Sequence, residues 1–240
     1  MSGQDGVIVT IDGPAGTGKS TVANLLAERL GLEMLDTGAM YRAAAVVALD
    51  EGVAADDGPA LAARIAEEGL AFDWSARPPR ILLGGRDLTE RVRDADVNRA
   101  VSVVARQAAL RAAMVDAQRA IGRTHPRLVT EGRDQGSVVF PTAAVRFYLD
   151  AHPEVRARRR VEQMRAQGRP ADYEAVLRAI VERDYLDETR ADGPLICPEG
   201  AQRVDTSGLT LAGVVQELER RVRSAVDPAH LAPPRAAQHA

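Results

Sequence analysis

Three glycines, a lysine and two hydroxyls fall within one eight-residue stretch, Gly13-Pro14-Ala15-Gly16-Thr17-Gly18-Lys19-Ser20, with Thr21 following. The stretch fits the pattern G-x-x-x-x-G-K-[ST], and these residue types suit one task, the holding of phosphate. Glycines let the backbone curl until its N–H groups converge on an anion. A helix that begins near Lys19 adds the positive end of its dipole. Lys19 carries a mobile point charge to the same oxygens, and the Ser20 hydroxyl is placed to ligate Mg²⁺. A plainer reading is a glycine-rich turn with an ordinary surface lysine.

The flanks favour the phosphate reading. Gly6-Val7-Ile8-Val9-Thr10-Ile11 is a β-branched run that reads as a buried strand. Val22 to Leu30 has helical spacing and stops at Gly31. Strand, glycine loop and helix form half of a βαβ unit. Of the 31 basic residues, Lys19 is the one lysine and the other 30 are arginine. A skew of that size reflects composition rather than fold. It also removes one class of protein, because reading guanine with Asn-Lys-x-Asp needs a second lysine. ATPases and small-molecule kinases remain open.

Further along, the spacing predicts Ala-rich helices at about 38–51 and 59–69. Three short strands follow, Leu70–Trp74, Arg80–Leu83 and Arg86–Thr89, with Gly84-Gly85 as a two-residue hairpin signal. A long helix is expected at about 95–121. Strands are expected at Leu128–Thr130, Val145–Leu149 and Arg203–Asp205, and helices at about 153–166, 172–191 and 210–225. Strands alternating with helices imply an α/β fold, a parallel sheet flanked by helices, carrying a small antiparallel insert. Residues 227–240 contain three prolines and many alanines and read as a disordered tail.

Three more segments carry polar residues in an unusual concentration. They are Leu35-Asp36-Thr37-Gly38-Ala39-Met40-Tyr41-Arg42, Glu131-Gly132-Arg133-Asp134-Gln135-Gly136-Ser137 and Glu182-Arg183-Asp184-Tyr185-Leu186-Asp187-Glu188-Thr189-Arg190. Together with the phosphate loop and the β insert, this ordered set resembles the bacterial cytidylate kinases, over about Ile8 to Val222. The resemblance implies a P-loop NTPase-type sheet with a short helical lid, one kinase domain at about 1–226, an acceptor insert at about 66–96 and a lid at about 153–170. It implies transfer of the γ-phosphoryl group of ATP to CMP or dCMP, with Mg²⁺.

The same resemblance assigns residues. Arg42, Arg133 and Arg190 match positions that hold the acceptor's phosphate. Arg183 and Asp187 match those at the sugar hydroxyls. Ser102, Arg111 and Asp134 match the base-reading positions, and Thr37 and Tyr41 lie beside the acceptor. Arg156, Arg158, Arg159 and Arg160 fall in the lid, with Arg158 assigned to catalysis and Arg159 to ATP. The chemistry agrees, since phosphoryl transfer needs two anions brought together, and arginine forks suit phosphate. Asp134 can accept from the amino group of cytosine, which uracil lacks. Glu131, Gln135 and Ser137 stand where Asp, Met and Thr are commoner in the family.

Each of these residues also has a plainer reading. Arg156–Arg160 alone reads as a solvated helix face or a nucleic-acid patch. Ser102 reads as a buried serine bonded to its own backbone, and Arg111 as a surface arginine. Asp187 and Arg190 read as an i, i+3 ion pair, and Asp36 with Thr37 as a helix cap. Phe72, Trp74 and Cys197 read as packing. Another small P-loop kinase (for UMP, AMP, shikimate or dephospho-coenzyme A) and a non-enzymatic nucleotide-dependent binding protein are the competing functions.

Composition sets the outer limits. With 34 acidic side chains against 31 basic, the net charge is −3, which excludes a basic field suited to nucleic acid. No apolar run approaches 18 residues, so no membrane span is expected. The single Cys197 excludes an internal disulfide, and the four histidines (125, 152, 230 and 239) lack metal-ligand spacing. The N-terminus lacks the features of a signal peptide, and a cytoplasmic monomer is expected.

Overall fold

A computed structural model describes residues 6–166 and 168–232. The chain divides into two compact units, Met1–Glu33 with Pro126–Ala240, and Met34–His125. The expected acceptor insert lies within the second.

In the first unit, the β-branched run forms β1 (Val7–Asp12), and the periodic segment after the glycines forms α1 (Lys19–Leu30). Gly31 ends α1 in the left-handed conformation that glycine adopts without steric cost. β6 (Arg127–Glu131) and β7 (Val145–Asp150) flank β1 in parallel, and β8 (Gln202–Asp205) extends the sheet beside β7. With β2 (Glu33–Asp36), the sheet has five strands in the order β2-β6-β1-β7-β8, and the division between units falls inside β2. Val9, Ile11, Leu128, Val129, Phe147 and Leu149 are fully buried, as strands covered on both faces require. α6 (Pro153–Ala166), α7 (Tyr173–Thr189) and α8 (Leu211–Ala225) complete the unit.

The second unit contains α2 (Thr37–Glu51), α3 (Gly58–Glu68), α4 (Ala95–Val104) and α5 (Ala108–Thr124). It also holds an antiparallel sheet of β3 (Leu70–Asp73), β4 (Arg80–Leu83) and β5 (Arg86–Asp87). Gly84 and Gly85 both have positive φ, at 58° and 76°, as a tight hairpin demands.

Three sequence expectations need correction. The single helix at about 95–121 is two helices. Val97, Val101 and Val104 are buried on α4, but the next buried apolar residue is Leu110, six positions on and off the helical period. The strand β2 was not expected at all. The tail expected to be disordered begins ordered: Pro228–His230 form a 3₁₀ turn, Leu231 is buried, and the Ala232 N–H donates to Leu30 O at 2.8 Å. Residues 233–240 of that tail lie outside the described residues, as does residue 167 of the expected lid.

Candidate functional site

The phosphate loop owes its shape to its glycines. Gly13 has φ 147°, and a Cβ built there would lie 2.0 Å from Leu149 O, so no other residue fits against β7. Gly18 caps α1 in the left-handed region at φ 86°. No side chain caps this helix, whereas Asp36, Asp57, Asp172 and Thr210 cap α2, α3, α7 and α8. The first N–H groups of α1 are therefore left for an external anion.

Lys19 is buried and donates to Pro14 O at 2.7 Å. Burial lowers its pKa from 10.5 to about 7, and the nearby Arg133 charge adds to the effect. Ser20 is exposed, and its hydroxyl donates to Glu131 Oε1 at 2.6 Å. Arg133 Nε donates to Asp187 Oδ2 at 2.8 Å. Burial would raise the Asp187 pKa, but Arg133, Arg183 and Arg190 outweigh it and hold the carboxylate below its ordinary range. Arg190 is almost fully buried, 3.7 Å from Asp134 Oδ2 and 3.8 Å from Asp187 Oδ1. The structure thus gathers Lys19, Ser20, Arg133, Asp134, Arg183, Asp187 and Arg190 around a web of charge pairs.

The turn that presents Arg133 and Asp134 is unusual. Residues 135–139 make one turn of π-helix, with Val139 N–H donating to Asp134 O and Phe140 N–H to Gln135 O. Asp12, at the end of β1, accepts the Gln135 and Gly136 N–H groups at 2.8 and 2.7 Å. Complete burial raises the Asp12 pKa from 3.8 to about 7 despite those two donors. A Cβ on Gly136 would lie 2.8 Å from Thr10 Oγ1, so this turn packs on β1 only with glycine there.

In the second unit, Asp36 caps α2 by accepting the Ala39 N–H at 2.8 Å, and Arg42 NH2 donates to both Asp36 oxygens. Thr37 is buried in the first turn. Arg111 is 4% exposed, with NH1 3.3 Å from Tyr41 Oη and its guanidinium 5.8 Å from the centre of the Tyr41 ring. The plain reading of Arg111 as a surface residue is therefore wrong. Ser102 is half-buried on α4.

The cytidylate kinase family model matches residues 9–224. The cytidylate kinase of Pelotomaculum thermopropionicum is 44% identical over 215 residues, covering 89% of this chain and 95% of that protein. That of Nocardia farcinica is 45% identical over 222 residues, covering 92% and 96%. The chain belongs to the cytidylate kinase family.

Among the arginines that the family resemblance places in a lid, two are fixed. Arg156 is 3% exposed and bonded into the unit interior, at Ala15 O, Ala151 O and Asp184. Arg159 donates to Thr206 O at 2.6 Å and Leu209 O at 3.3 Å. Arg158 is exposed and Arg160 reaches Gln163. The expectation that Cys197 packs is also corrected, since its thiol is free and exposed. Trp74 does pack, stacked on His125 at 4.1 Å between ring centres.

Sequence reading gave Asp12 and Asp184 no role. Asp184 lies inside the Glu182–Arg190 segment and Asp12 between the strand run and the glycine loop, and in both cases the backbone groups they hold are remote in sequence. No helix among the described residues is long and apolar enough to cross a membrane.

Proposed function

We propose that the protein transfers the γ-phosphoryl group of ATP to CMP and dCMP, giving the diphosphates, as a cytoplasmic monomer. The observation that carries this reading is the uncapped N-terminus of α1 with Lys19 at its head, in the same unit as the Arg133–Asp187–Arg190 cluster. One feature suits the phosphates of a nucleotide, and the other suits the phosphate of an acceptor. Family membership supplies the substrate class.

The residues act by placing charge. The loop N–H groups and Lys19 take the β- and γ-phosphates. Arg133 exchanges its bond to Asp187 for the acceptor phosphate, with Arg42 and Arg190 as further donors, and Arg158 stabilises the transferring group. Thr37 and Tyr41 border the acceptor, Arg183 and Asp187 take the sugar hydroxyls, and Ser102, Arg111 and Asp134 read the base. Asp134 accepts from the cytosine amino group. The acceptor phosphate is already an anion, so no general base is needed.

Ser20 and Glu131 fit magnesium. The Ser20 proton is directed at Glu131, which leaves the hydroxyl lone pairs for a hard cation, and the carboxylate offers a second oxygen. Among the described residues no cluster of three or more His, Cys, Asp or Glu could hold a metal ion. When bound, the ion would neutralise charge on the phosphates.

Calorimetry with CMP alone tests the enzyme reading against a nucleotide-dependent binding protein. Heat of binding at millimolar CMP is expected. Its absence, with ATP binding intact, would favour the second reading.

A further inference from the structure

The Arg156 guanidinium, on α6, makes three hydrogen bonds without reaching solvent. Nε donates to Ala151 O at 2.8 Å, and NH1 donates to Ala15 O at 2.9 Å and to Asp184 Oδ2 at 2.6 Å. The other oxygen of Asp184, on α7, accepts the Ala15 N–H at 3.3 Å. One buried ion pair therefore holds both backbone polar groups of a single residue in the phosphate loop. The next residue packs on the same wall. A Cβ on Gly16 would lie 3.4 Å from Arg156 Cβ and 3.9 Å from Ile180 Cδ1.

A loop with glycines at 13, 16 and 18 has little conformational preference of its own. Its ability to bind an anion depends on having the N–H groups aimed before the ligand arrives. Its ends are fixed by β1 and α1, but Ala15 lies at the middle of the curl, where neither strand nor helix holds it. We propose that Arg156 and Asp184 are positioning residues for the triphosphate: they hold the loop at Ala15 in its anion-binding shape and tie that shape to the packing of α6 against α7. This rests on the reading of the loop as the ATP site. Arg156 touches no reacting atom in this role, and its reach into the loop sets it apart from the exposed Arg158 on the same helix.

An ion pair that served stability alone would weaken every activity together. A brace on the loop changes ATP binding and leaves the acceptor alone. The test uses Arg156→Lys, Asp184→Asn and Arg156→Ala beside the wild-type protein. Lys retains the charge but has a single donor centre that is unable to span three acceptors. KM for ATP is expected to rise about tenfold or more in each variant. The Kd for CMP in the absence of ATP should stay within about twofold of wild type, and kcat at saturating ATP within about threefold. In Arg156→Ala, guanidinium chloride at tens of millimolar should restore part of the ATP affinity by refilling the vacated site. If Arg156→Ala fails to fold, the two milder variants carry the comparison. Variants with wild-type KM for ATP, or with ATP and CMP affinity falling by the same factor, overturn the proposal. A wild-type protein that binds CMP but not ATP instead overturns the reading of the loop on which it rests.

Discussion

Ser20 Oγ lies 2.6 Å from Glu131 Oε1, so the carboxylate at the end of β6 bonds directly to the hydroxyl in the first turn of α1. Replacing Glu131 with Ala should raise the magnesium concentration for half-maximal activity by about tenfold or more, the usual cost of an outer partner to a ligand. CMP affinity without ATP should not change. A titration of activity against Mg²⁺ decides it, and an unmoved midpoint would remove Glu131 from the cation site.

Gly13→Ala tests the close approach of the loop to β7. A methyl group 2.0 Å from Leu149 O, on a residue at φ 147°, forces the backbone to shift. Unfolding by denaturant should show a loss of about 1–3 kcal/mol or more, as for overpacked sites. Nucleotide binding should be lost as well. A variant with full stability and binding would contradict the geometry.

Arg133→Ala should fold. Asp187, the partner left behind, still has Arg183 and Arg190 to lower its pKa, so its charge is not stranded. Activity should nonetheless drop by about 10² or more in kcat/KM, because donors to the acceptor phosphate are lost. Steady-state kinetics beside a thermal melt separates the two effects. A loss of melting temperature that accounts for the loss of activity would refute the assigned role.

Lys19 and Asp12 give opposite pH trends that meet near neutrality. Asp12 has its pKa raised from 3.8 to about 7, so between these values the folded protein keeps a proton that the unfolded chain has released, and stability falls as pH rises. Lys19 has its pKa lowered from 10.5 to about 7, so above pH 7 the unfolded chain binds the extra proton, and stability rises with pH. Asp12→Asn should flatten the first limb and Lys19→Met the second, read from denaturant midpoints across pH 4–10. Triphosphate binding should also restore the Lys19 proton. Calorimetry at pH 8 in buffers of different ionisation enthalpy should show proton uptake that Lys19→Met lacks.

The lowered Lys19 pKa has a chemical consequence too. A lysine with a pKa of about 7 is largely a free amine at pH 8, so an acylating reagent small enough to enter the loop should modify it. ATP should protect it, and peptide mapping reads the outcome at the one lysine in the chain. Equal labelling with and without ATP would place the nucleotide elsewhere. Lys19→Arg should keep the fold and lose most activity, since a planar guanidinium crowds a cradle where Nζ sits 2.7 Å from Pro14 O.

The parts of the fold that were legible in the sequence were those with a local cause. β1, the glycine loop and α1 announce themselves through β-branching, glycine and helical period. The Gly84-Gly85 hairpin does so through a turn that only glycine makes cheaply. The break between α4 and α5 has no glycine or proline to mark it, and only the step from Val104 to Leu110 betrays it. β2 is four residues long, with Met34 and Leu35 between two acids, too short for a period to show. At the site, residue types and spacing pointed to Lys19 and Ser20, and the family resemblance pointed to Arg133 and Arg190. The roles of Asp12, Asp184 and Arg156 depend on backbone groups distant in sequence, at Gly136 and Ala15, and no spacing rule encodes those.

The most direct test of the account is a coupled assay of diphosphate formation with ATP and Mg²⁺ across CMP, dCMP, UMP, AMP and shikimate as acceptors. It should give kcat/KM highest for CMP and dCMP, with UMP lower by about tenfold or more for want of the amino donor to Asp134. Faster turnover of UMP, AMP or shikimate than of CMP would contradict it.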